Sequence, residues 1–441
     1  MFEEASAPVQ KNSIKCKQCD AEVPKLEGFQ PWCECGWNLL AIVEERPASV
    51  GVDGKKKRDL LDETYIALNK QRGQAVYEKL NRLADFGASF RFSRFCFYTL
   101  CLFVWSGSLV SLIFAIATLY YFPFNILTLI FVLVLIALTY VVIPRLESPP
   151  ADTVSERKCP KLWETISKVS VEIGIERPDA LVVDSGFTAS SRYYGLTQSK
   201  FLTLGLPLLL FLNKDERLAL LARELSHFDH RDPARGALSQ QCILSLMHWH
   251  KMLYPDEILA RGEELSAAFG NAAMRCLARI PAALIWLMLR IRWEDSLTCQ
   301  YLADRCSAQI SGKAAAIGLL VKGHFGQKFD TFVQRQTLKK GEKNLFDSLT
   351  EFIANFPQRE HKKASLQCEL AETSLSNDTP PTCWRKKLLE DYEESEPKIV
   401  LTAEENELID KELASLCPSI EKALINEYKI GLMKSGEPLF F

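Results

Sequence analysis

The 441-residue chain has almost no net charge, with 53 Lys and Arg against 55 Asp and Glu. That balance leaves no electrostatic footprint for nucleic acid. The run Lys55-Lys56-Lys57-Arg58 is accordingly read as a solvated linker rather than a binding patch. Residues 1–15 are polar and lack the apolar core of a cleaved signal peptide. The fourteen cysteines lack regular spacing and several fall inside apolar runs, which suits a reducing compartment better than a secreted disulfide scaffold. The longest absence is of charge itself: nothing between Arg94 and Arg145 is ionised. About 20 apolar residues cross a hydrocarbon core, so this stretch predicts two spans, Phe95–Leu119 and Phe124–Ile143, joined by a turn at Tyr120-Tyr121-Phe122-Pro123. Arg91 and Arg94 before the hairpin and Arg145 after it place both ends in the cytoplasm. A soluble buried hairpin is the alternative, and so long a charge-free stretch is hard to hide in a core of this size.

A second absence concerns one residue. Arg223-Glu224-Leu225-Ser226-His227 closes a helical segment that starts at the cap Asn213. It has the form of H-E-x-x-H, in which two histidines on one helix face hold zinc and the glutamate between them activates water. The first histidine is missing. A guanidinium stays protonated and offers only donors, so Arg223 cannot ligate a cation.

What the chain does have begins with Cys16-x2-Cys19 and Cys33-x-Cys35-Gly36. Paired thiolates on tight turns suit a tetrahedral four-sulfur zinc site, a ribbon that folds a segment too small for its own core. The second knuckle is one residue short of C-x-x-C, and free or redox cysteines are the alternative. Arg58–Phe86 has amphipathic helical periodicity, with Gly73 as a kink point. After the break at Ser148-Pro149-Pro150, Trp163–Ile173 is expected as a helix and Ala180–Val183 and Lys200–Gly205 as strands. The apolar segment Ile280–Leu289 reaches only about 15 Å as a helix and is expected to be buried or to lie at an interface.

Thr188-Ala189-Ser190, Phe201-Leu202-Thr203-Leu204-Gly205-Leu206-Pro207-Leu208 and Glu216–His227 together resemble the membrane zinc metallopeptidases of the HtpX and CAAX-prenyl-protease type, in particular the bacterial members with an N-terminal zinc ribbon. Cys33-x-Cys35-Gly36-Trp37-Asn38, Tyr301-Leu302-Ala303-Asp304-Arg305 and Pro380-Pro381-Thr382 with Arg385 extend the resemblance over most of the chain. The resemblance places the family's first ligand histidine on Arg223, its general-base glutamate on Glu224 and its second ligand histidine on His227. Its third ligand, a glutamate, falls on Gln300. The aspartate that steadies a ligand histidine is kept as Asp304, and the histidine expected to stabilise the oxyanion falls on Thr379.

Two of three zinc ligands and the oxyanion group are therefore replaced. A unit charge about 4 Å away repels another by roughly 4 kcal/mol at an effective dielectric near 20, and a divalent ion by about double. At about 1.4 kcal/mol per tenfold in affinity, catalytic zinc is expected to be absent, while the ribbon keeps a structural zinc. Arg223 is expected to pair with Glu224 or Asp304. His230 gives a conceivable shifted site with His227; otherwise His230 and Asp232 are solvated or capping residues, and His248 and His250 interface or core residues.

The resulting expectation is a mostly α protein with a small β-sheet (α+β), built around a zincin-like metallopeptidase domain. Its parts are a zinc ribbon (1–45), an amphipathic helical linker (46–90), a transmembrane hairpin (91–147), the metallopeptidase-like domain (148–395) and a helical C-terminal tail (396–441). The expected function is a catalytically inactive, membrane-anchored pseudo-peptidase that binds a polypeptide partner, using an edge strand around Leu202–Gly205. It is expected as a multi-pass protein of the inner or plasma membrane with both termini cytoplasmic. An active zinc endopeptidase with a rearranged ligand set and a scaffold presenting the ribbon to a partner are the alternatives.

Overall fold

A computed structural model describes residues 13–26, 29–39, 74–78, 92–122, 124–142, 148–195, 197–230, 232, 236–253, 265–338, 344–371, 380–393 and 396–435. Strands β1 (Ser13–Lys15) and β2 (Glu22–Pro24) form an antiparallel hairpin with Ile14 opposite Val23. The expected helical linker lies outside the described residues except for 74–78, which are helical.

Beyond Arg94, helices α1 (Phe92–Tyr121) and α2 (Ile126–Val142) carry no charge and are apolar around their whole circumference. They pack antiparallel, with the Ser111 and Thr139 hydroxyls 2.7 Å apart. Tyr120 and Tyr121, expected in the turn, belong to α1 instead, and the ladder continues to Phe122, whose N–H bonds to the Thr118 carbonyl at 3.1 Å. Tyrosine has no conformational reason to end a helix; Pro123, which does, lies outside the described residues. By length and composition, Ser93–Tyr121 is the one described helix able to cross a membrane, and Ile126–Ala137 is a shorter apolar stretch.

The remainder is mostly helical around one small mixed sheet. Helix α3 (Pro160–Ile173) buries Leu162, Trp163, Ile166 and Val169, and Gly174 closes it at φ 86°, the left-handed position that favours glycine. Strands β3 (Ala180–Asp184), β4 (Ala189–Tyr194) and β5 (Ser199–Gly205) stand in the order β3-β5-β4, with β3 parallel and β4 antiparallel to β5. Leu202–Gly205 is thus the centre of the sheet and not its edge. Its neighbours Phe201, Leu202 and Leu204 are all buried, the pattern of a strand covered on both sides. At Gly205 a Cβ would meet the Gly186 carbonyl at 1.9 Å, so only glycine lets β5 end against that loop.

Helices α4 (Leu206–Phe211), α5 (Lys214–Asp229), α6 (Ala237–Leu253) and α7 (Leu265–Ser311) follow. Ile280–Leu289 is the middle of α7, not a separate short helix, because Pro281 sits within it without ending it. Then come α8 (Lys313–Gly323), α9 (Gly326–Leu338), α10 (Leu345–Ala354), α11 (Gln358–Leu370), α12 (Thr382–Glu390) and α13 (Ala403–Ser435). Ile409, Leu413, Leu416 and Leu424 of α13 enter the same core as α3, α5 and β5.

The cysteine-bearing segment lies against α10 and α11. Trp32 is fully buried; its indole N–H donates to Glu360 Oε1 at 3.2 Å, and the Arg359 guanidinium covers the ring at 4.6 Å. Arg359 Nη2 also donates to the Trp32 carbonyl at 2.7 Å, and Phe29 stacks on Phe352.

Candidate functional site

The site is organised by α5. Asn213 caps it, its side chain accepting from the Asp215 and Glu216 amides while Glu216 Oε2 accepts from the Asn213 N–H at 2.8 Å. This capping box is worth about 1 kcal/mol and fixes where the helix starts. Leu218, Leu220, Leu221 and Leu225 bury it in the core, and Ser307 Oγ on α7 donates to the Ala219 carbonyl at 3.0 Å. Helix periodicity then sets residues 223 and 227 on one face, directed at α7.

Helix α7 answers with Gln300 and Asp304, four residues apart and both buried. Arg223 joins them: its Nη2 donates to Gln300 Oε1 at 2.7 Å, and its Nε lies 3.2 Å from Asp304 Oδ1. Glu224 Oε1 is 3.9 Å from Arg223 Nη1, and Glu224 Oε2 accepts from Ser191 Oγ of β4 at 3.3 Å. The expected pairing of Arg223 with a carboxylate is present, principally with Asp304.

Asp304 serves a second guanidinium. Arg385 of α12 grips it in bidentate fashion, Nε to Oδ2 and Nη2 to Oδ1, both at 2.7 Å. Burial would lower the Arg385 pKa, but the Asp304 carboxylate outweighs it and the net shift is upward. One carboxylate thus holds two cations in place.

His227 is completely buried, with Nδ1 3.1 Å from Asp232 Oδ2. Asp232 is itself buried, and its amide bonds to the His227 carbonyl at 3.3 Å. The expectation of a solvated or capping Asp232 is therefore corrected: the chain turns back after α5 and brings the carboxylate onto the ring. His230 does stand at the helix end as its C-cap, 3.3 Å from Asp229; burial holds its ring below the ordinary value against the pull of both aspartates. His250 Nδ1 lies 2.9 Å from the Ala278 carbonyl, a contact within the helical pack. Thr379 lies outside the described residues.

Sequence reading missed three participants. Asp232 follows His227 closely enough to be suspected only once the helix is known to end at Asp229. Arg385 was visible five residues after Pro380 but without a role. Ser191 gave no signal, because its part depends on strand register.

Outside the α5 centre, the Sγ atoms of Cys16, Cys19, Cys33 and Cys35 all lie within 4.8 Å of one another. Burial raises the Cys16 thiol, but the Gln18 and Cys19 amides outweigh it and bring it to about 7. The Ala21 amide lowers Cys19, but the sulfurs of Cys35, Cys33 and Cys16 outweigh it and push it up to about 12. Four clustered thiols cannot all ionise without a cation between them, so the donor set fits zinc. Among the described residues it is the one group of three or more His, Cys, Asp or Glu close enough to hold a metal.

The model of peptidase family M48 matches residues 156–369. A protease HtpX homologue of Thermococcus sibiricus is 25% identical over 195 residues, covering 43% of this chain and 64% of that protein. Homologues from Pyrococcus furiosus and Pyrococcus abyssi are 25% and 26% identical, each covering 43% of this chain and 63% of the relative. The chain thus spans just under two thirds of the length of these curated relatives. No solved structure matches.

Proposed function

Because this chain belongs to the HtpX-like peptidases of family M48, we propose that it is a membrane-anchored pseudo-peptidase in which an arginine occupies the position of the catalytic metal. The observation that carries this reading is the hydrogen bond between the two altered ligand positions: Arg223 Nη2 donates to Gln300 Oε1 at 2.7 Å. The two replacements are mutually compensating, and a guanidinium bonded to Gln300 and paired with Asp304 fills the place of a dication with a permanent single charge. The donor set does not fit a catalytic zinc. Arg223 offers no lone pair, Gln300 is engaged by it, and His227 alone falls short of the three protein ligands such a zinc needs. Glu224, the family's general base, keeps its place without a metal-bound water to act on.

What remains is β4, an outer strand of the sheet. An extended polypeptide can add to β4 through main-chain hydrogen bonds. The partner is polypeptide, held without cleavage. Cys16, Cys19, Cys33 and Cys35 hold a structural zinc, and residues 1–45, 46–90, 91–147, 148–395 and 396–441 form the ribbon, linker, anchor, peptidase-like domain and terminal helical segment.

The anchor crosses the membrane as a hairpin, with the ribbon and the domain both in the cytoplasm. In support, Trp32 and Phe29, which precede α1, touch Glu360 and Phe352, which follow α2. A single crossing between them would put those residues on opposite sides of a bilayer, so the contact favours an even number. The α2 helix supplies the second.

The test is zinc stoichiometry and proteolysis on detergent-purified protein. About one zinc per chain is expected, lost on replacing Cys16 and Cys19 by serine, with no chelator-sensitive cleavage of casein or membrane proteins. A second zinc that survives those replacements, with cleavage abolished by Glu224→Gln, would overturn the reading in favour of a rearranged active site.

A further inference from the structure

The two cysteine knuckles stand in different relations to the rest of the chain. Residues 13–26, with Cys16 and Cys19, are mostly exposed, and among the described residues their hydrogen bonds stay within the ribbon. The second knuckle, with Cys33 and Cys35, makes the contact with α11. Its turn is set by the Cys33 N–H on the Trp37 carbonyl at 2.9 Å and the Gly36 N–H on the Cys33 carbonyl at 3.1 Å. Trp32 and Leu39, on either side of that turn, are both buried.

On α11, Arg359, Lys363 and Gln367 follow one another at four-residue spacing and form one stripe. The outer two hold the knuckle by its ends. Arg359 Nη2 donates to the Trp32 carbonyl at 2.7 Å, and Gln367 Nε2 donates to the Leu39 carbonyl at 3.0 Å. Eight helical residues separate these grips, about 12 Å. Trp32 and Leu39 reach both at once only while the turn between them keeps one shape. Zinc held by Cys33 and Cys35 together with Cys16 and Cys19 fixes that shape in a segment too small for its own core.

The middle of the stripe is of the opposite character. Lys363 is 1% exposed, and among the described residues its ammonium has no hydrogen-bond or ion-pair partner. The Glu360 carboxylate of the same helix is already engaged by Lys328 Nζ at 2.7 Å and by the Trp32 indole at 3.2 Å. Burial holds Lys363 below the ordinary lysine value; Glu360 pulls the other way, and Lys328 and Arg359 push with burial. A buried ammonium without a partner opposes whatever keeps water from it.

We propose that the ribbon is a zinc-dependent clamp on α11: metal binding and seating of the second knuckle are one transition, closed by the grips at Arg359 and Gln367 and opposed by the Lys363 ammonium between them. This rests on the reading of the four cysteines as a zinc site. Without zinc the turn loses the shape that reaches both grips, and Lys363 regains water as the knuckle lifts. The peptidase-like domain thereby senses zinc through a helix that carries none of the ligands. Such coupling is reciprocal, so residues of α11 set the affinity of a metal they do not bind.

Zinc affinity of the full, detergent-purified chain, measured by competition with a chromophoric chelator, tests this. Arg359→Ala and Gln367→Ala are each expected to weaken zinc binding about tenfold, the worth of one hydrogen bond to the knuckle. Lys363→Met, which keeps the length of the side chain and removes its charge, is expected to strengthen binding. Unchanged affinity in both grip variants, or no gain in Lys363→Met, overturns the clamp. Because substitutions on α11 can disturb folding, the unmodified protein is also followed by hydrogen–deuterium exchange before and after chelation. Residues 29–39 and 358–370 are expected to exchange faster once zinc is stripped, and unchanged exchange over 358–370 overturns the proposal. A chain that binds no zinc at all overturns the zinc reading itself, and the clamp with it.

Discussion

The cysteine cluster and the Arg223 centre are two answers to the same electrostatic problem. In the first, four sulfurs within 4.8 Å of one another repel as thiolates and require a cation from solution. In the second, Asp304, Glu224 and Asp232 converge on one helix pair, and the cations are covalent parts of the chain, Arg223 and Arg385. On the reading proposed above, one region can be emptied by a chelator and the other cannot. On that reading, a site keeps the shape of a metal centre after its charge has moved onto a side chain.

The sharpest way to break this comparison is to remove the cation on each side. Cys16→Ser with Cys19→Ser is expected to abolish the one zinc and unfold the ribbon, since structural zinc supplies about 10–16 kcal/mol in small zinc-finger peptides; metal analysis and limited proteolysis near residue 30 read this out. On the other side, Arg385→Ala is expected to cost about 3–5 kcal/mol of domain stability, as for other buried ion pairs that lose one partner. Arg223→Ala is expected to cost less, about 1–3 kcal/mol, because Asp304 keeps its bidentate partner. Denaturant melts that rank Arg223→Ala above Arg385→Ala would reverse the assignment of the principal pair.

Converting one region into the other sharpens the comparison further. Arg223→His with Gln300→Glu is expected to raise zinc content from about one to about two per chain, because His227 and its Asp232 support remain. Cleavage is expected only when Thr379→His is added, since a lost oxyanion donor typically costs 100- to 1,000-fold in turnover. A double variant that still binds one zinc would mean that the backbone as well as the side chains has departed from ligand geometry.

The smallest expected effect is of pH. Burial lowers His324 to about 4, and burial lowers His361 also. Between about 4 and 6.5 the unfolded chain binds more protons at His324 than the folded one, so stability falls as pH drops through that window. His324→Gln is expected to flatten the slope by up to one proton without moving zinc content.

Much of the α5 centre could be read in the sequence, because helix periodicity ties residue identity to position: Asn213 as cap, and 223 and 227 on a shared face, follow from spacing alone. The partners of Arg223 could be named as candidates, but the double duty of Asp304 could not, since it depends on α12 packing across α7. The sheet was misread at Leu202–Gly205 because an apolar strand looks alike at an edge and at the centre until its neighbours are paired. The buried place of Asp232 was hidden for the same reason, as a loop's return path leaves no periodic trace.

The contact between Trp32 and Glu360 spans 328 residues of sequence. At 5–20 residues per second of synthesis, roughly 16–65 s separate the appearance of the two side chains. The four cysteines emerge at the start of that interval, but Trp32 has no pocket until α11 has left the ribosome, by which time the apolar helices between them have already emerged. Seating of Trp32 therefore falls late in biogenesis, and a chain truncated before α11 would leave its indole without the Glu360 and Arg359 partners that cover it.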